Sequence, residues 1–283
     1  MMKRDNKRIS IAAAVAAIAL SGLILPACAN KKSESFTQET EIAETETPSE
    51  ANAETVAPNE THTTTLAEQP KTERAEYIRV TAEGVNIRTG AGSGYSSLGA
   101  AEKDTLYKLC GKSGSWYETR YKNKTAYISA NYCKVVQMDR SADKAVESVI
   151  DEGCKCLGVT YVYGATRYHD GKGNKLKGFT ASAFDCSSLM QYIFKLGAGV
   201  NLQVNTRTQI YQGETVKKSG LKRGDLMFFT NSSRKNNTGV ERVGHVALYL
   251  GDNYILHTAS DYAKIEQISS TRWGYYIQAQ RVL

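Results

Sequence analysis

The spacing of apolar positions changes rhythm several times along the chain. Ile9 to Leu25 is an almost unbroken apolar run. Residues 30 to about 75 are nearly empty of large apolar side chains. From Glu76 to about Val136, short apolar runs (YIRV, VNIR, LYKLC, WYETRY, TAYIS) alternate with turn clusters such as TGAGSG and GKSGS. Strands this short and evenly spaced predict a small all-β barrel. Beyond Ser141 the period lengthens. Ala142 to Leu157 has helical spacing, with Ala145, Val149 and Cys156 on its inner face. Ser187 to Leu196 carries the stripe Leu189, Met190, Ile193 and Phe194, with Gly197 and Gly199 as its stop. The strand-like runs LMFF, HVALYLG, YILHTA and YIQAQRVL follow. Helices first and an antiparallel sheet after predict an α+β domain over 141–283, preceded by the barrel over 76–137.

The N-terminal run changes the picture of where the chain works. Lys3, Arg4, Lys7 and Arg8 precede it, and Leu25-Pro26-Ala27-Cys28 closes it. That is the layout of a secretory signal peptide over 1–28. The run is at or below the ~18 to 20 residues that span a bilayer. The Leu-x-Ala-Cys ending resembles a bacterial lipobox, which implies lipidation of Cys28 and a membrane anchor. Ala27-Cys28-Ala29 is also a small-residue cleavage site, so plain secretion to the cell wall stays open. Residues 29–75 read as a disordered tether, because their Glu, Thr, Ala, Ser and Pro cannot bury enough apolar surface to offset chain entropy.

Charge follows the same division. Ala29 to Ala75 carries ten acidic and four basic residues, whereas Glu76 to the C-terminus carries 28 basic and 18 acidic. A basic body suits an anionic polymer, either cell wall or nucleic acid, or is simply a solvated surface. Six cysteines in an exported chain invite disulfides. Cys110 and Cys133 can pair within the barrel, whereas Cys154 and Cys156 read as small buried residues. A Cys-x-Cys pair lacks the common zinc-knuckle spacing, and no metal site or cofactor is expected.

Two stretches carry chemistry. In FDCSSLMQYIF, Cys186 sits at the first turn of a helix, where free N–H groups favour a thiolate and can hold an oxyanion, and Asp185 is placed as the N-cap. In RVGHVALYLGDNYILHTAS, His245 opens one strand and His257 closes the next. A three-residue loop centred on Gly251 would set the two histidines directly opposite on one face, with Cβ atoms ~5 Å apart. A two-residue loop would put them on opposite faces.

Four blocks in order, YVYGA at Tyr161, FDCSSL at Cys186, LKRGDLMFF at Leu221 and GHVALYLGDNYILHTA at Gly244, make residues 141–283 resemble the NlpC-type cell-wall cysteine peptidases. The stretches VNIRTGAGSGYSSLG and GSWYETRYKNKTAYIS resemble the bacterial Src-homology-3-like domain of wall-associated proteins, and Trp116 is expected in its core. The resemblance implies a papain-like fold and a thiol peptidase acting on peptidoglycan stem peptides at the γ-D-glutamyl to L-diamino-acid bond. An amidase or acyltransferase on the same scaffold and a non-catalytic wall-binding lipoprotein are the alternatives. It implies Cys186 as nucleophile, His245 as base, His257 as its orienter and Tyr161 at the oxyanion site. It places Asp185 and Ser187 at the substrate, with Asp185 binding a free amino group. Peptidoglycan rather than nucleic acid is the expected partner, and a monomer is expected. The chain departs from the family pattern at Ser188, where Gly is usual, and in an insertion, ATRYHDGKGNKLKGFTASA, expected as a surface loop at the cleft rim. The short connection at Gln137 to Arg140 limits reach to roughly 3.5 Å per residue, so the two folded regions are expected to pack together near the cleft.

Overall fold

The computed structural model describes residues 73–283. The signal peptide, Cys28 and nearly all of the tether lie outside the described residues. The first region is all β: β1 (Arg74–Val80), β2 (Val85–Arg88), β3 (Ser97–Ala101), β4 (Leu106–Lys108), β5 (Gly111–Ser113), β6 (Trp116–Tyr121), β7 (Lys124–Ser129) and β8 (Cys133–Asp139). They form two antiparallel sheets, ordered β4-β1-β8 and β3-β2-β7-β6-β5. Alternating residues Tyr77, Ile87, Leu106, Ala126 and Ile128 close a buried core between them. Trp116 is only half-buried at the start of β6, so the core forms without it. Cys110 and Cys133 are free thiols, as are Cys154, Cys156 and Cys186, so no bridge forms among the described cysteines.

The second region begins with α1 (Lys144–Lys155), capped by the Asp143 carboxylate accepting from Ala145 N. Its buried stripe is Val146, Val149, Ile150 and Cys154, with Ala145 at the margin. Next come β9 (Thr160–Tyr161), β10 (Ala183–Phe184), α2 (Cys186–Ala198), α3 (Thr206–Gln209) and β11 (Glu214–Val216). They are followed by β12 (Leu226–Phe229), β13 (His245–Gly251), β14 (Tyr254–Ala259), β15 (Tyr262–Gln267), α4 (Ser270–Gly274) and β16 (Tyr276–Arg281). The sheet runs β10-β9-β15-β14-β13-β12-β16-β11, antiparallel except for the β10–β9 pair, and α1 and α2 pack on it. This is the α+β arrangement. Gly197 does not end α2. A Cβ there would collide with the Val149 backbone, so this glycine lets the two helices approach closely. The helix ends two positions on, at Gly199, whose φ of 71° only glycine adopts readily.

The two regions share a buried interface. Lys122 N donates to Leu157 O at 2.7 Å and Asn123 N to Lys155 O at 2.8 Å, and the Tyr121 ring lies where any side chain on Gly158 would stand. At the centre, Arg223 forks onto Glu147 (Nε to Oε1 2.6 Å, Nη2 to Oε2 3.1 Å) and also donates to the Tyr77 hydroxyl at 2.8 Å. Both members of this pair are over nine-tenths buried, so each charge depends on the other to offset desolvation.

Candidate active site

Cys186 is the first residue of α2. The Asp185 carboxylate accepts from Ser188 N at 2.8 Å, and Ser188 Oγ accepts from Asp185 N at 2.9 Å, a reciprocal capping box. Ser188, the departure from the expected glycine, is therefore what completes the cap. The cap fixes the exit of β10 into α2 and so aims the thiol. The N–H groups of Val246 and Ser187 point at the sulfur. Burial and the neighbouring Asp185 carboxylate push the thiol up to about 11, against the pull of those N–H groups and of Arg167. Burial thus opposes the thiolate that a helix start alone would favour.

The histidines reach the cleft by a different route from the one the spacing suggests. The β13–β14 loop has two residues, Asp252 and Asn253, both with positive φ. By itself that loop would set the histidines on opposite faces. A β-bulge intervenes. Tyr249 pairs with Ile255 but Gly251 with Tyr254, so Leu250 is extra and the parity is restored. His245 and His257 thus share a face diagonally, not directly opposite. The bulge carbonyl, Leu250 O, accepts from Arg223 Nη1 at 2.7 Å, so the buried ion pair also braces this kink.

His245 Nε2 lies 3.1 Å from His257 Nδ1, with the rings at 83°. His257 Nε2 lies 3.0 Å from Glu266 Oε1, which also accepts from Arg272 Nη2 at 3.0 Å. This chain fixes tautomers. A carboxylate only accepts, so His257 Nε2 carries its proton and Nδ1 is an acceptor. His245 must then donate from Nε2, which leaves its Nδ1 lone pair available as a base. Burial, then His257 and Arg272, hold His245 well below its usual range. Burial also lowers His257, opposed by Glu266. Burial alone would raise Glu266, but its bond to His257 and the charges of His257, Arg272 and Lys264 bring it down to about 2. Burial thus favours the uncharged forms of the thiol and of both imidazoles, while the bonds to Glu266 favour its charged form.

Cys186, Tyr161 and Gly244 stand on the divide between two hollows. One, of about 410 Å³, is lined by His245, Phe229, Thr230, Arg272 and Tyr275. The other, of about 170 Å³, is lined by Arg167, Asp185, Ser187, Arg207 and Arg234. Tyr161 sits on β9 beside β10, the strand that leads into Cys186, and burial raises its phenol. Ser187 is buried and donates from Oγ to Asp185 Oδ1 at 3.0 Å. Tyr161, Asp185, Cys186, Ser187 and His245 therefore line the two hollows, and His257 joins them through His245. Every residue lining either hollow lies at or beyond Tyr161, so the β region does not reach the cleft. It reaches the strand behind the histidines instead, where Glu102 bonds Lys264 Nζ at 3.0 Å and the Tyr262 hydroxyl at 2.5 Å.

Sequence reasoning passes over Glu266, Arg272 and Arg167. The alternation of inward Ala263 and Ile265 with Lys264 and Glu266 marks β15 in the sequence and would have exposed Glu266 as its polar face. The insertion is also more than a rim loop. Its Tyr168 and Phe179 pack with Tyr192 of α2 at 5.4 and 5.3 Å, and His169 is fully buried. No grouping of metal-ligating side chains occurs among the described residues. No helix among them is long and apolar enough to cross a membrane.

Both regions resemble known proteins. Residues 158–282 match the model of the NlpC/P60 family, and residues 83–134 match that of the bacterial SH3 domain. The gamma-DL-glutamyl hydrolase of Bacillus subtilis (strain 168) is 30% identical over 156 residues, 55% of this chain and 33% of that protein. The probable endopeptidase NlpC homolog of Haemophilus influenzae is 33% identical over 143 residues, 50% of this chain and 63% of that protein. The murein DD-endopeptidase MepS/murein LD-carboxypeptidase of Escherichia coli (strain K12) is 35% identical over 123 residues, 41% of this chain and 60% of that protein. The chain thus spans from 33% to 63% of the lengths of these relatives.

Proposed function

Because the chain carries an NlpC/P60 family domain behind a bacterial SH3 domain, we propose that it is a cell-wall cysteine endopeptidase that cleaves peptidoglycan stem peptides between γ-D-glutamate and the L-diamino acid. The observation that carries this reading is that Cys186, at a helix start, and His245, at the head of the chain His245–His257–Glu266, line one hollow. In the proposed reaction, His245 Nδ1 takes the thiol proton as sulfur attacks the scissile carbonyl. Backbone N–H groups at the start of α2, with Tyr161, receive the oxyanion. The imidazolium then protonates the leaving amine, and the same nitrogen activates water to release the acyl group. Glu266 favours the imidazolium state through His257. No metal or cofactor enters this scheme.

The name of the Bacillus subtilis relative supports the γ-glutamyl bond, whereas the Escherichia coli relative is named for DD and LD bonds. Mass spectrometry of muropeptides digested by the purified chain separates these. New termini at γ-D-glutamate and at the diamino acid are expected, and cleavage confined to D,D bonds would overturn the bond assignment. Export and a lipid anchor at Cys28 belong to the same proposal and rest on the N-terminal sequence. Cys28→Ala should move the protein out of the membrane fraction or leave its signal uncleaved, and unchanged fractionation and migration would sink the anchor.

A further inference from the structure

The smaller hollow beside Cys186 is an unusual place for a carboxylate to await a substrate ammonium. Asp185 is 5% exposed, and its acceptor sites are taken. Oδ1 receives Ser188 N at 2.8 Å and Ser187 Oγ at 3.0 Å, while Oδ2 receives Gly164 N at 3.2 Å and Arg167 Nη1 at 2.9 Å. Arg167 is itself pinned. Its Nε donates to Val204 O, its Nη1 to Ala165 O, and its Nη2 to Ser187 Oγ at 3.4 Å. It comes from the insertion, whose aromatic residues anchor it to α2. The rest of the hollow adds Arg207 and Arg234, which share one carboxylate, Glu241, at 3.4 and 3.2 Å. Three guanidiniums thus face two carboxylates.

We infer that Arg167 closes Asp185 to an ammonium, so that this enzyme acts on stem peptides whose amino end is acylated and discriminates against those with a free amine. This rests on the stem-peptide reading above and names the substrate class within it. A free ammonium brought to Asp185 must displace a buried, charge-assisted pair and approach a hollow with excess positive charge. An amide at the same end brings no charge and leaves the pair intact. Peptides still joined to the sugar carry that amide, whereas peptides stripped from it carry the amine.

The test compares two L-alanyl-γ-D-glutamyl-diamino-acid peptides that differ only in N-acetylation of the alanine. With the wild-type chain, kcat/KM for the acetylated peptide should exceed that for the free amine by about tenfold or more. Arg167→Gln, which keeps a hydrogen-bond donor but removes the charge, should narrow that ratio by about tenfold. Asp185→Asn, which keeps a competent cap, should depress both peptides alike. Should Arg167→Gln fail to fold, calorimetric binding of both peptides to Cys186→Ala reads the same preference without touching Arg167. A free-amine preference in either measurement, or a selective loss of the free-amine peptide in Asp185→Asn, would overturn the inference. Cleavage and binding of neither peptide would overturn the stem-peptide reading, and this inference with it.

Discussion

The two walls of the cleft are built by opposite means. The Cys186 wall is local: Asp185, Cys186 and Ser188 are consecutive or nearly so, and one capping box sets the thiol at the start of α2. The histidine wall is assembled from afar. Its geometry depends on a bulge at Leu250, on Arg223 holding the bulge carbonyl, on Glu147 and Tyr77 holding Arg223, and on Glu266 from a third strand. A local wall tolerates change elsewhere in the molecule. A wall assembled from so many elements couples the geometry of the cleft to packing, including packing of the β region that never enters the cleft.

The largest effect expected tests both walls at once. Cys186→Ala and His245→Ala should each lower kcat/KM on the order of 10⁵-fold while leaving the thermal melt near wild type, since residues acting as one unit fail together. Wild-type turnover by either variant would remove the proposed mechanism. Stability separates the walls next. Glu147→Ala leaves Arg223 buried and unpaired, and should destabilise by about 3 kcal/mol in denaturant titration. By contrast, Ser188→Ala should cost about 1 kcal/mol, the scale of a lost cap. Equal costs would mean that the histidine wall is as local as the other.

Glu266→Ala should lower kcat by about tenfold to a hundredfold. It should also move the acid limb of the kcat/KM profile to lower pH, because removing the carboxylate takes away the influence that raises His257. Nitrogen chemical shifts of His257 should show the Nε2–H form in the wild type and a mixture in the variant. An unchanged tautomer would confine Glu266 to a packing role.

The smallest effect is on stability against pH. His245 and His257 are held below 6.5 by burial, so the unfolded chain binds more protons as pH falls below that value, and stability should decline there. Glu266, folded near 2 against 4.5 unfolded, contributes stability above 4.5 that is lost as pH falls from 4.5 toward 2. A denaturation midpoint that stays flat from neutral pH to about 5 would contradict the histidine assignment.

Much of this was legible before any coordinates. The periodicities separate an all-β region from an α+β one, and FDCSSL alone places Cys186 at a capped helix start, because capping is decided within four residues. The spacing of His245 and His257 narrowed the hairpin to two parities but could not choose, since one extra residue in a bulge reverses the outcome of any loop length. The thiol shows the same limit: a helix start favours its charge, but burial by other elements opposes it. Glu266, Arg167 and the Arg223 brace lie 9, 18 and 27 positions from the partners they hold. Short-range patterns in a chain determine caps, periods and turns. Which distant charges meet in the dry interior was decided only when the sheet closed around them.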